Sequence, residues 1–177
     1  MNAPSTLVFP SLLGAQFEAL PPLVQALHLH EGVQQLAGEV DVERGRGLLS
    51  RVCAWATRLP PAGTGPIAVE ITAMPGVERW TRHVAGHAMP SRLWVRDGLL
   101  CERLGLVTFG FRLHVEADAI VWQVVRVRVF GLRLPAAWFE GVSARESQRD
   151  DRYHFEVAAA LPLAGPLVRY RGWLRLE

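Results

Sequence analysis

The chain has 177 residues, half of them apolar, a formal net charge of +2 and two cysteines. A chain of this length buries on the order of 70% of its unfolded surface, which one core can accommodate, and a mean hydropathy of +0.14 argues against disorder. All nineteen basic residues are arginine, but they are interleaved with acids in stretches such as "GEVDVERGRG" and "SARESQRDDR", so no basic stripe marks a nucleic-acid footprint.

The N-terminal stretch "PSLLGAQFEALPPLVQALHLH" carries helical spacing at Leu12, Phe17, Leu20, Val24 and Leu27, and Pro21 and Pro22 should split or kink it. "LAGEVDVERGRG" then alternates, with Val40 and Val42 opposite Glu39, Asp41 and Glu43, as a half-buried strand does. In "LLSRVCAWATRL" the residues Leu48, Leu49, Val52, Trp55, Ala56 and Leu59 return to helical spacing, and Pro60 and Pro61 end that helix. From there to the C-terminus alternating runs are separated by short turn signals, which adds up to about nine or ten strands. Most connections are too short for parallel crossovers. The expected fold is mainly β (α+β): a curved antiparallel meander, barrel or half-barrel, with two N-terminal helices packed at its open side or end. One domain over 1–177 is expected, made of a helical segment (1–31), a strand and helix (34–59) and the meander (64–177), with no internal repeat or linker.

Parity assigns the faces. Val107, Phe109, Phe111, Leu113 and Val115 share one side of their strand; Ile67, Val69 and Ile71, then Tyr153, Phe155, Val157 and Leu161, do the same in theirs. These sides should line the concave face, and in the last strand Val168, Tyr170, Leu174 and Leu176 join them. The opposite parity collects tryptophan with arginine: Trp80 with Glu78 and Arg82, Trp94 with Arg92 and Arg96, Trp122 with Arg126 and Arg128, and Trp173 with Arg169, Arg171 and Arg175. Arginine stacked on tryptophan outside a barrel would account for this pattern, and so would a covered interface containing Trp80, Trp94, Trp122, Arg171 and Trp173. A bulge would invert any one strand.

No recognisable catalytic constellation emerges. Gly45 and Gly47 in "VERGRGLL" lie between a strand and a helix, but the charged strand and absent parallel sheet speak against a dinucleotide site, and no cofactor is implied. Arg44 and Arg46 lie near a helix N-terminus that disfavours cations, so Asp41, Glu43 or a bound anion should compensate them. His83 and His87 have HxxxH spacing but flank a turn and lack a third ligand, so no metal site is expected. Arg145 and Glu146 in "SARES" read as cross-strand ion-pair partners. Cys53 and Cys101, without CxxC spacing, read as buried free thiols of a reducing compartment. "MNAPSTLVFPSLLGA" has no positively charged start and no apolar run reaches about 18 residues, so the expected setting is the cytoplasm, without a transmembrane segment.

Taken in order, "VERGRGLLSR", "RLPPAG", "ERWTR", "ERLGLVTFGF", "VRVRVFGLRLP", "SARES", "RYHFEV" and "VRYRGWL" resemble the bacterial domain-of-unknown-function family 4166, over roughly Val24 to Leu176. Family-typical positions matched here are Glu43, Arg44, Gly45, Arg46, Gly47, Glu78, Arg79, Trp80, Arg82, Arg145, Glu146, Tyr170, Arg171, Gly172 and Trp173. The resemblance implies no activity. Members also occur fused behind epimerase- or dehydrogenase-like domains, which implies that an enzymatic partner of this chain would be a separate protein.

Three functional readings follow. The leading one is non-catalytic binding of a small apolar or amphipathic molecule inside a barrel loosely like the calycins, lined by Val69, Phe109, Phe111, Val127, Phe155 and Tyr170, with Arg44, Arg46 or Arg82 at the rim to meet a charged head group. The second is an interaction module docking on itself or on a dehydrogenase-type partner through the tryptophan–arginine set. The third is an enzyme using Glu78 or Glu146 beside arginines as its acid–base group.

Overall fold

The computed structural model describes residues 7–162 and 165–176; the opening six residues of the N-terminal segment, residues 163–164 and Glu177 lie outside the described residues. Ten antiparallel strands close a barrel in the order β1 (Gly32–Arg44), β2 (Gly63–Met74), β3 (Val77–Val84), β4 (His87–Arg96), β5 (Leu99–Leu104), β6 (Val107–Glu116), β7 (Ala119–Val129), β9 (Ser143–Arg149), β10 (Arg152–Leu161) and β11 (Gly165–Arg175), with β11 returning to β1. An eleventh strand, β8 (Leu132–Leu134), stands outside the ring on the far end of β7, whose near end pairs with β9.

Turn chemistry explains the meander. Ala85–Gly86, Asp97–Gly98, Ala117–Asp118, Phe130–Gly131 and Asp150–Asp151 all take positive φ at both positions, as two-residue turns matched to strand twist require. Phe130–Gly131 also divides the long run "AIVWQVVRVRVFGLRL" into β7 and β8. Curvature comes from close approach: at Gly172 a Cβ would lie 2.2 Å from the Glu39 carbonyl oxygen and 2.7 Å from the Phe155 ring, so β11 bends tightly against β1.

One end of the barrel is plugged. Helix α1 (Val8–Leu13) leads through a 3-10 turn (Gly14–Ala19) to α2 (Pro22–Leu29). The double proline makes the predicted break, with Pro21 as the cap and Pro22 at the first helical position. Val8, Phe9, Leu13, Phe17, Val24, Leu27 and His28 are buried in this plug. The side chain of Gln16 accepts from the Val115 amide and that of Gln148 from the Leu23 amide, stitching plug to wall.

At the other end, α3 (Leu48–Thr57) lies across the mouth between β1 and β2. Its anchors are backbone-directed: the Gly45 amide donates to the Leu167 carbonyl, Ser50 Oγ to the Gly45 carbonyl, and the Leu106 amide to the Ala56 carbonyl. At Gly45 a Cβ would fall 1.9 Å from the Pro166 carbonyl oxygen, so only glycine allows this chain crossing.

Val107, Phe109, Phe111, Ile67, Val69, Ile71, Tyr153, Val168, Tyr170 and Leu174 are buried within the barrel. Two tryptophans depart from the outward assignment. Trp80 and Trp122 are buried, 5% and 3% exposed, inside the barrel, and so are not available to the expected interface. In β3 the parity grouping of Glu78, Trp80 and Arg82 stands, but the whole set points inward, because its charges find partners there. In β7 the cause is a bulge: Phe111 pairs with Val124 while Gly110 pairs with Arg126, so Ile120 and Trp122 point inward together with Val127, and Arg126 and Arg128 do not share their face. Trp94 and Trp173 remain outside, the first beneath Arg92 at 5.8 Å and the second beneath Arg152 at 4.0 Å from its ring centre.

Candidate functional site

Ten strands enclose more volume than their side chains fill. A cavity of about 510 Å³ opens beneath α3, within the size range of small-molecule pockets, about 300–1,000 Å³. Its walls are apolar and aromatic: Ile67, Val69, Phe109, Phe111, Trp122, Phe155, Val157 and Leu174, with Leu49, Val52, Cys53 and Ala56 of α3, Leu134 of β8, and Trp138 and Phe139 of the β8–β9 connection at the mouth. Residues such as Phe155 and Val157 point inward yet keep accessible surface, as they do only in a hollow barrel.

A polar belt crosses the inner end of the cavity. Arg82, Glu102, Glu146, Tyr153 and Tyr170 line it. Arg82 donates from Nη1 to Ser91 Oγ at 3.1 Å, lies 3.5 Å from Glu102 through Nη2, and stacks over Trp80 at 5.1 Å. Burial opposes the Arg82 charge, but Tyr170, Glu102, Tyr153 and Glu146 together outweigh it and hold the guanidinium protonated. Burial also raises the pKa of Tyr170, against the pull of Arg82, and raises that of Tyr153 further, with the Glu146 charge and a hydrogen bond to it acting in the same direction. Both phenols are therefore neutral hydroxyls facing the cavity.

Behind the belt lies the plug. His28 Nε2 meets Glu146 Oε2 at 2.6 Å, and the His28 ring stacks on Phe9 with centroids 3.6 Å apart. The Trp80 indole donates to Glu78 Oε2 at 2.7 Å. Burial raises the Glu78 pKa, while His28 and the Trp80 hydrogen bond pull it back. Trp122 Nε1 is buried with no partner among the described residues.

Of the binding residues expected from sequence, Val69, Arg82, Phe109, Phe111, Phe155 and Tyr170 line the one cavity. Val127 is fully buried in the core without lining it. Arg82 sits at the inner belt rather than the rim, since β3 carries it inward. Arg44 and Arg46 do not line the cavity either: Arg44 donates to the Pro60 carbonyl at 3.2 Å, and neither arginine forms an ion pair among the described residues. The expected local pairing with Asp41 or Glu43 gives way to cross-strand geometry, which brings Asp41 to Arg171 at 3.7 Å. Nor do Arg145 and Glu146 make the expected cross-strand Arg–Glu pairs among the described residues: Arg145 donates to the Glu116 and Ala117 carbonyls while Glu146 turns to His28.

Sequence reasoning missed His28, Glu102 and the role of Tyr153. Their signals were present: His28 follows Val24 and Leu27 on the apolar face of α2, and Glu102 has the parity of Leu100 and Leu104 in β5. Burial raises the thiol pKa values of Cys53 and Cys101, which keeps both in the unreactive thiol form. No group of three potential metal ligands occurs among the described residues.

The crystal structure of Rv2717c from M. tuberculosis is similar to this chain with a TM-score of 0.46 and 13% identity, covering 89% of this chain and 99% of that one. No curated protein matches. The model of the domain of unknown function DUF4166 matches residues 20–174, nearly the whole barrel and the second plug helix, and the chain belongs to that family.

Proposed function

We propose that the protein is a binding barrel, calycin-like in use, for a small molecule with an apolar body and an uncharged polar end. The observation that carries this reading is the cavity itself, about 510 Å³ with mainly aromatic and aliphatic walls and a polar belt at its inner end. Apolar surface of this kind is stable against water chiefly when something apolar occupies it.

The belt favours the nature of the polar end. Arg82 is already engaged by Ser91 and Glu102, and Glu146 by His28, so a second full charge would have to displace one of these partners at a desolvation cost. Hydroxyl or carbonyl groups, by contrast, can share Tyr153 and Tyr170 hydroxyls without disturbing either pair. The body of the ligand would lie between Phe109, Phe111 and Phe155 and end beneath α3. The acid–base reading draws on the same place, since Glu146, in addition to Glu102, lines the cavity; of the two, only Glu146 is one of the carboxylates that reading names. Its engagement by His28 argues for a positioning role.

Native mass spectrometry of protein purified without denaturant, followed by solvent extraction, tests the proposal. The expected result is a co-purifying apolar or amphipathic molecule near one per chain, or, with bare protein, saturable one-to-one binding of the neutral apolar dye Nile red. Val157→Trp, which fills the cavity from its wall, should weaken dye binding by roughly tenfold while circular dichroism stays unchanged. Bare protein that binds no dye saturably, or binds it equally well in Val157→Trp, would overturn the proposal.

A further inference from the structure

Helix α3 is apolar on two faces. Leu49, Val52, Cys53 and Ala56 line the cavity, while Leu48 and Trp55, with Val52 between them at its edge, form an outer stripe, 80%, 74% and 58% exposed. An apolar stripe on a helix is normally turned to a core or a partner; the outer stripe of α3 stands in solvent beside Arg51. The β7–β8 hairpin and the turn after β8 add Phe130, Leu132 and Trp138, exposed by 74%, 73% and 54%. These two sources adjoin through the β5–β6 turn, where the Leu106 amide donates to the Ala56 carbonyl and the Leu106 carbonyl accepts from the Phe130 amide. Seven of the ten exposed large apolar side chains, Leu49 included, thus surround the mouth of the cavity, and the other three, Leu29, Val33 and Met74, belong to the α2–β1 and β2–β3 region at the opposite end. Scattered exposure would need no explanation; this concentration does.

Charge identifies what covers it. No acidic residue occurs between Glu43 and Glu70, a stretch with Arg44, Arg46, Arg51 and Arg58, nor between Asp118 and Glu140, which holds Arg126, Arg128 and Arg133. These two segments carry seven arginines, with the exposed carboxylates of Glu43 and Glu140 only at their edges and Arg126 held by Asp97, in a chain whose net charge is only +2. Arg46, Arg51, Arg58 and Arg133 are exposed there. A second copy of the chain docking patch to patch would set these like charges against one another. An anionic lipid surface takes both features at once, the apolar stripe below the head groups and the arginines among them.

We propose that the mouth of the barrel is a docking surface for an anionic bilayer, with Leu48, Val52, Trp55, Phe130, Leu132 and Trp138 inserted at the head-group level. The orientation puts the cavity opening against the lipid, so that an apolar ligand passes between bilayer and barrel without crossing water. This last step rests on the binding function proposed above; the docking does not.

Co-sedimentation with vesicles separates the two. Wild-type protein should pellet with vesicles of phosphatidylglycerol and phosphatidylcholine in equal parts and stay largely in solution with phosphatidylcholine alone. Leu48→Asp and Trp55→Asp, exposed positions that do not line the cavity, should each reduce the bound fraction by roughly tenfold or more, and Arg51→Gln by about fivefold, with Nile red binding unchanged in all three. Equal binding to both vesicle types, unchanged binding of the two aspartate variants, or a wild-type protein that stays in solution would overturn the proposal, as would a dimer that the aspartate variants dissolve in place of any vesicle binding. Failure of dye binding with intact vesicle binding would instead count against the ligand reading alone.

Discussion

His28 on α2 and Glu146 on β9 meet at 2.6 Å, 118 residues apart in the chain, with the His28 side chain fully buried and Glu146 barely exposed. This contact joins the plug to the barrel wall and aligns one of the two carboxylates that line the cavity. Removing one partner leaves the other stranded in a dry interior, and such losses run to about 3–5 kcal/mol. His28→Leu should therefore lower stability by roughly that amount, whereas the double variant His28→Leu/Glu146→Leu should lose distinctly less than the sum of the single losses. Urea denaturation of the four proteins measures the difference, and additive losses would mean that the pair is not coupled.

Glu78 predicts a pH dependence. Burial raises its pKa, with His28 and Trp80 opposing, so the folded protein holds the proton more tightly than the unfolded chain does. Stability from this group is complete below the ordinary carboxyl range and is lost as pH rises through the folded value. Glu78→Gln keeps an oxygen for the Trp80 indole but cannot ionise. Its melting temperature should match the wild type near pH 4 and exceed it progressively towards about pH 8. A difference between the two proteins that shrinks as pH rises would contradict this assignment.

Gly172 predicts a packing effect. Phe155 sits across from it in the β10–β11 ladder, with the ring edge 2.7 Å from where a Cβ would stand and the Glu39 carbonyl oxygen closer still. Gly172→Ala must push the ring into the cavity or part β11 from β1, at a cost of about 1–3 kcal/mol. Thermal melting reads the loss, and Nile red affinity should fall with it because Phe155 is a cavity wall. A variant as stable as the wild type would show that β1 and β11 are free to separate.

Much of the barrel was legible from local pattern. Alternation at Val107 to Val115 and at Val168 to Leu176 follows from the two-residue period of a strand, and the turn residues follow from the need for positive φ. Prolines 21 and 22 mark the break in the plug for an equally local reason. The apolar lining contributed by Val69, Phe109, Phe111, Phe155 and Tyr170 could be named because each strand's apolar side must leave water. The polar belt was less legible. Glu78 and Arg82 looked like surface residues because charge is costly to bury alone, and their partners, His28, Ser91 and Glu102, come from α2, β4 and β5.

Local pattern sufficed for the elements, their antiparallel order and the presence of a concave apolar face, since propensity, periodicity and turn chemistry act over a few residues. Long-range packing set which way β3 faces, where the bulge in β7 reverses parity, and that Trp80 and Trp122 belong to the interior with Arg82 while Trp94 and Trp173 do not. Those outcomes depend on pairings between residues far apart in the chain, where one inserted residue or one buried ion pair outweighs the local pattern.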